Sequence, residues 1–213
     1  YLFTTKEGVD IFDLEKTAAS LESVKELLKQ AGLAGKTVLF VSTKDESSKI
    51  VKRIAESAGA PYVTNRWIGG MLTNQSEIKK RINRLEALNN ETVSGELERK
   101  YTKKERVMIG REITKLNFNF GGIVAMNKAP DYILVVDPRH DHIAVTEASV
   151  RNIPIIGIMS SDCDASKIAF PIVVNDSLQT SVTLVLEELV AAYKEGTSAY
   201  TPRPATPAPT RRA

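Results

Sequence analysis

Three short runs constrain this chain more than anything else in it: Thr37-Val38-Leu39-Phe40-Val41-Ser42, Tyr132-Ile133-Leu134-Val135-Val136-Asp137 and Ile153-Pro154-Ile155-Ile156-Gly157-Ile158-Met159. A strand with one wet face alternates apolar and polar residues. A strand that is apolar without alternation has to be covered on both sides, the condition of a parallel sheet between layers of helices. The segments between these runs have the matching rhythm. After Asp13, the residues Leu14, Ala18, Leu21, Val24, Leu27 and Leu28 repeat at helical spacing, with Gly32 and Gly35 as the stop. Ser47 or Ser48 is placed to cap a second helix with Ile50, Val51, Ile54, Ala55 and Ala58 on its inner face. Gly59-Ala60-Pro61 closes that helix and Tyr62-Val63 begins another strand, which completes a βαβ unit.

The rhythm breaks after Val63 and resumes only past Gly121-Gly122. Between them, Ile78, Ile82, Leu85 and Leu88 form one narrow apolar stripe, and Ile109, Ile113, Leu116 and Phe120 form another. Two such stripes describe an antiparallel coiled-coil hairpin. Asn74 with Glu77 and Thr102 with Glu105 read as capping boxes. Asn89-Asn90, Ser94 and Gly95 read as the turn between the helices. After the hairpin come a helix over 142–151, a short strand at Ile172-Val173-Val174, and an apolar helix from Leu178 to Tyr193 stopped at Gly196. The expected fold is α/β: a doubly wound, mainly parallel five-stranded sheet of flavodoxin-like type, with Tyr1 to Phe12 forming a hairpin ahead of it. The expected division is an α/β domain over 1–74 and 121–196, an inserted hairpin over 75–120, and an extended Pro-rich basic tail over 197–213.

Charge follows the same division. The chain carries 29 Lys and Arg against 26 Asp and Glu, a net charge of +3. Ser76 to Asn117 hold eleven of those bases and seven of the acids, and the tail adds Arg203, Arg211 and Arg212 with no acid. Positive charge gathered on a projecting element suits a polyanionic partner. No run approaches the ~18 apolar residues of a membrane span. The single cysteine, Cys163, excludes an internal disulfide and fits a reducing compartment.

A doubly wound sheet invites a nucleotide at the carboxyl ends of its strands, held by a glycine-rich turn. Here the first core strand runs into Ser42-Thr43-Lys44-Asp45-Glu46, with no glycine fingerprint, and the third ends in Asp137-Pro138-Arg139-His140. A dinucleotide or triphosphate site is not expected. Asp137, His140, Asp141 and His142, with Asp162, Cys163 and Asp164 at the end of the neighbouring strand, are the residues from which a divalent-metal hydrolase would be built. The competing reading of the same residues is turn and cap chemistry, with Asp141 capping the helix that follows.

The segment that launches the hairpin is Asn65-Arg66-Trp67-Ile68-Gly69-Gly70-Met71-Leu72-Thr73-Asn74. Its tryptophan and arginine are suited to stack on a base and pair with phosphate, while the glycines let backbones approach. Alternatively Trp67 plugs the base of the hairpin and Arg66 faces the ligand. This segment closely resembles the signature of the small-subunit ribosomal protein 2 (S-two) family. The likeness continues through Asp13-Leu14-Glu15-Lys16-Thr17, Val38 to Lys44, Thr102-Lys103-Lys104-Glu105, Gly121-Gly122-Ile123, Pro130-Asp131, His142-Ile143-Ala144, Glu147-Ala148, Ile153-Pro154-Ile155 and Asn175-Asp176.

The resemblance implies a non-catalytic structural constituent of the small ribosomal subunit, needing no cofactor. It would be ribosome-bound in the cytoplasm of a bacterium, or in an organelle. It would contact small-subunit ribosomal RNA and neighbouring ribosomal proteins, including the large mRNA-binding one. The RNA-facing candidates are Lys44, Arg66, Trp67, Lys79, Lys80, Arg81, Arg84, Lys103, Lys104, Arg203, Arg211 and Arg212. The chain departs from the family pattern in its opening, which lies downstream of the family's usual glycine-, histidine- and tryptophan-containing segment. It departs again at Ser160-Ser161-Asp162, at Ser177 and in its Pro-rich tail.

Overall fold

The computed structural model describes residues 2–126 and 128–200, so Arg203, Arg211 and Arg212 lie outside the described residues. The chain opens with an antiparallel pair, β1 (Leu2–Lys6) and β2 (Val9–Phe12), turned at Glu7-Gly8 with both residues at positive φ. Asp13 then caps α1 (Leu14–Leu33), accepting a hydrogen bond from the Lys16 backbone N–H as its position predicts. The parallel sheet follows from β3 (Val38–Val41), β4 (Tyr62–Val63), β5 (Tyr132–Val136), β6 (Ile155–Met159) and β7 (Phe170–Val173). Its order, β4-β3-β5-β6-β7, is the flavodoxin-like arrangement.

Alternate residues of each central strand enter different cores, the consequence of a period of two in a sheet covered on both sides. Val38, Phe40, Leu134, Val136, Ile156 and Ile158 pack under α1, α2 (Asp45–Ser57) and α7 (Gln179–Ser198). Leu39, Val41, Ile133, Val135 and Ile155 face α6 (His142–Val150), Trp67 and the root of the hairpin. The hairpin consists of α3 (Gln75–Val93), the short α4 (Glu96–Lys100) and α5 (Lys103–Phe120), followed by a 3₁₀ turn at Gly121–Ile123. Ile78, Ile82, Leu85 and Leu88 are buried against Ile109, Leu116 and Phe120, which is the pairing of stripes that the spacing predicts.

Several local expectations need correction. Gly196 does not stop α7, which runs to Ser198. It is instead the crossing point with α1: a Cβ there would lie 2.2 Å from the Lys29 carbonyl oxygen, and one on Gly32 would lie 2.6 Å from that of Tyr193. Gly32 is likewise inside α1, and the reversal is made at Gly35, at φ +62°. Asn89-Asn90 belong to α3 because the Leu85–Leu88 stripe carries the helix through them, and Gly95 at φ +72° makes the turn. Thr102 and Glu105 do form a capping box, but Asn74 and Glu77 do not, since Asn74 Oδ1 accepts from the Ser76 hydroxyl. Neither Ser47 nor Ser48 caps α2: Lys44 is its N-cap residue, and the Ser47 hydroxyl is bonded to that of Ser42 at 2.6 Å.

Candidate RNA interface

The interface is built from a clasp outward. Met71 and Leu72 are buried in the core, and Trp67 is only 7% exposed. The segment carrying them folds around one carboxylate, Glu147, on the inner face of α6. Glu147 Oε1 accepts from the Trp67 indole N–H at 3.1 Å and the Gly70 N–H at 2.7 Å. Its Oε2 accepts from the N–H groups of Leu72 at 3.0 Å and Thr73 at 3.2 Å, and from the Thr73 hydroxyl at 3.1 Å. Burial alone would push the Glu147 carboxyl up. The donors from Gly70, Trp67, Leu72 and Thr73 outweigh it and hold the group below the usual carboxylate range. Gly70, at φ +93°, supplies the bend that turns these donors inward. Trp67 is therefore not free to stack on a base, and it takes the plug role rather than the ligand role.

Glu147 escaped the sequence reading as a site residue. Its signal was an acid among Ala144, Val145 and Ala148 on a helix face that is otherwise apolar, a placement that demands partners. Arg66, one residue before Trp67, is exposed and makes no ion pair among the described residues.

At the carboxyl ends of the strands, where folds of this type keep a ligand, the polar groups are spent on one another. Lys44 Nζ lies 2.9 Å from Asp137 Oδ2 and 3.4 Å from the Ser177 hydroxyl. The contact with Asp137 raises the Lys44 ammonium above its ordinary range. Asp137 itself stands at φ +60°, unusual for a residue with a side chain, and also accepts from the His140 N–H. Burial pushes its carboxyl up, but Lys44 and His140 more than offset this and the net shift is downward. Asp141 does not cap α6 with its side chain. It accepts from the N–H and hydroxyl of Thr43 at 2.9 and 2.7 Å, and burial still holds its carboxyl above the usual range. Lys44 thus ties the end of β3 to the end of β5.

The hydrolase constellation is not assembled. His140 and His142 are exposed, and Asp162 is paired with Arg139. The groups that do approach within 4.8 Å are Asp137, Cys163 and Asp176, and the cation among them is the Lys44 ammonium. Burial pushes the Cys163 thiol up, away from nucleophilic use.

The hairpin bases divide into paired and unpaired. Lys80 is bound to Glu77 on its own helix at 2.6 Å, and Arg84 bridges to Glu112 on α5 at 3.2 Å. Lys79, Arg81, Lys103 and Lys104 are exposed and make no ion pair among the described residues.

The fold is thus a parallel sheet whose carboxyl edge is closed by internal polar contacts, bearing a clasped basic hairpin. A model of the family "Ribosomal protein S2" matches residues 1–196. Proteins named small ribosomal subunit protein uS2 are 40% identical to it, over 196 residues in Wolinella succinogenes (92% of this chain, 72% of the relative) and 198 in Helicobacter hepaticus (93% and 75%). The protein of that name in Synechocystis is also 40% identical over 196 residues, or 92% of this chain and 72% of its own. The chain belongs to the ribosomal protein S2 family, and is a structural protein of the small ribosomal subunit.

Proposed function

We propose that the protein is lodged in the small subunit of a bacterial or organellar ribosome chiefly through phosphate contacts made by its hairpin and by Arg66. The observation that carries this reading is the split among the cations. Those of the sheet edge are consumed by internal pairs, while Lys79, Arg81, Lys103 and Lys104 are exposed and unpaired among the described residues on a shaft fixed by the Glu147 clasp. Unpaired surface cations on a rigid support bind phosphate without a sequence preference and orient what carries them. The α/β domain then faces neighbouring ribosomal proteins, the large mRNA-binding protein among them. Arg203, Arg211 and Arg212 extend the same positive charge along the chain. The test is sedimentation with small subunits depleted of their resident copy. The chain is expected to travel with them, and replacing Lys79, Arg81, Lys103 and Lys104 by Ser is expected to lower its occupancy. Equal occupancy of the two proteins removes the hairpin from the RNA interface.

A further inference from the structure

Between edge strand β4 and the carboxyl half of α5 lies a cleft of about 550 Å³ that the clasp and the hairpin bases leave unexplained. Its floor exists because Gly122 has no side chain: a Cβ there would stand 2.2 Å from the Tyr62 carbonyl oxygen, so only glycine lets the hairpin exit lie this close to β4. Its walls carry the amides of Asn65, Asn117 and Asn119, the hydroxyls of Thr64 and Thr114, and the Lys52 ammonium, and none of the lining residues is acidic. The amide N–H of Asn65 donates to the Phe118 carbonyl at 2.7 Å, which fixes the rim. On that rim Phe118 is 57% exposed. The shelf on its other side is formed by Val107, Gly110, Arg111, Thr114 and Lys115, again without an acid.

Phe118 shares its shelf with Val107, itself 52% exposed, and apolar groups gathered within a polar rim mark an interaction surface where a lone ring would not. Amide side chains offer a donor and an acceptor side by side, the pattern that matches the edge of a nucleobase, and an aromatic face beside them is a stacking surface. Arg111 and Lys115, which make no ion pair among the described residues, supply phosphate contacts on one side of that ring, and Lys52, 4.0 Å from Glu56 on its own helix, borders the other.

Resting on the ribosomal-RNA reading above, we propose that this cleft receives an unpaired base of the RNA, with Phe118 as its stacking platform and Asn117 and Asn119 reading its edge. The test uses the full chain bound to small subunits depleted of the resident copy, with dimethyl sulfate probing the Watson–Crick edges of unpaired adenines and cytosines. The wild-type chain is expected to protect a small number of such bases. Phe118→Ala and the double replacement Asn117→Ala with Asn119→Ala are expected to restore their reactivity and weaken binding about tenfold. Phe118→Tyr, which keeps the ring, is expected to retain protection. Thermal unfolding of each variant separates loss of the site from loss of the fold. Unchanged protection in both alanine variants overturns the proposal, as does a cross-link from position 118 to a ribosomal protein in place of RNA. If the wild-type chain itself fails to bind the depleted subunits, the RNA reading falls and the cleft proposal with it.

Discussion

Lys44 and Lys79 are the same residue type put to opposite uses, and the two regions they belong to explain the protein. Lys44 sits at the carboxyl edge of the sheet, locked between Asp137 and Ser177. Lys79 stands on α3 in solvent with no ion pair among the described residues. The first region resembles a ligand site that has been filled from within, so its charge holds the fold together and is not presented outside. Lys79 makes no ion pair among the described residues that holds the second region together, so its charge is left to solvent. What separates a cation held inside the fold from one left to solvent here is burial and pairing, neither of which composition reveals.

The clasp joins the two regions, and its loss should have the largest effect. Glu147→Ala removes the acceptor of the Trp67, Gly70, Leu72 and Thr73 donors, so unfolding in denaturant should show a loss of about 3–5 kcal/mol. A loss below ~1 kcal/mol would mean that the hairpin is seated by its apolar stripe alone. Next in size is Lys44→Met, which leaves the largely buried Asp137 carboxylate without its cation and should cost about 1–3 kcal/mol while leaving ribosome association unaffected wherever the fold survives. Weakened association in a variant that remains folded would place Lys44 on the RNA instead.

Acid should act on two buried carboxyls, Glu147 and Asp141, in opposite directions. The Glu147 carboxyl is held below its ordinary range, so the clasp's contribution is complete above the unfolded value near ~4.3 and is lost as pH falls through the depressed folded value. Asp141 is held above its ordinary range, so its folded form takes up a proton first and gains stability as pH falls toward the unfolded value. Denaturation midpoints followed from neutral pH into acid should therefore converge for wild type and Glu147→Gln, and parallel curves would remove Glu147 from the acid response. The smallest stability effect belongs to the shaft. Serine at Lys79, Arg81, Lys103 and Lys104 should each move the unfolding free energy by no more than about 0.5 kcal/mol, measured by the same titration.

The sequence showed some features clearly and others not at all, for physical reasons. Unalternating strands such as Tyr132 to Val136 and the stripe from Ile78 to Leu88 are periodic, and periodicity survives without tertiary information. Caps are different, because a side chain in the right position still has a choice of partners. Thr102 and Glu105 chose each other, whereas Asn74 bonded Ser76 and Ser47 bonded Ser42. Gly196 carried the residue type of a helix stop and was a helix crossing, since closeness to Lys29 in α1 cannot be seen from the neighbours of Gly196 in the chain. Glu147 depends on donors 74 to 80 residues before it, so the most consequential polar group of the mount had only its unsuitable apolar surroundings to betray it. Of the twelve RNA candidates, the structure leaves Arg66, Lys79, Arg81, Lys103 and Lys104 exposed and unpaired among the described residues, ties Lys44, Lys80 and Arg84 to acids, and buries Trp67.

If the hairpin's unpaired cations bind RNA and the sheet-edge cation does not, the division must show in the response of binding to salt. That division is tested most directly by the salt dependence of association with depleted small subunits, measured for wild type and for the variant with Ser at Lys79, Arg81, Lys103 and Lys104. Each phosphate contact contributes roughly 0.7–0.9 to the slope of log affinity against log salt. The variant is expected to lose about three units of slope while unfolding at nearly the wild-type denaturant concentration. Equal slopes for the two proteins would contradict the account.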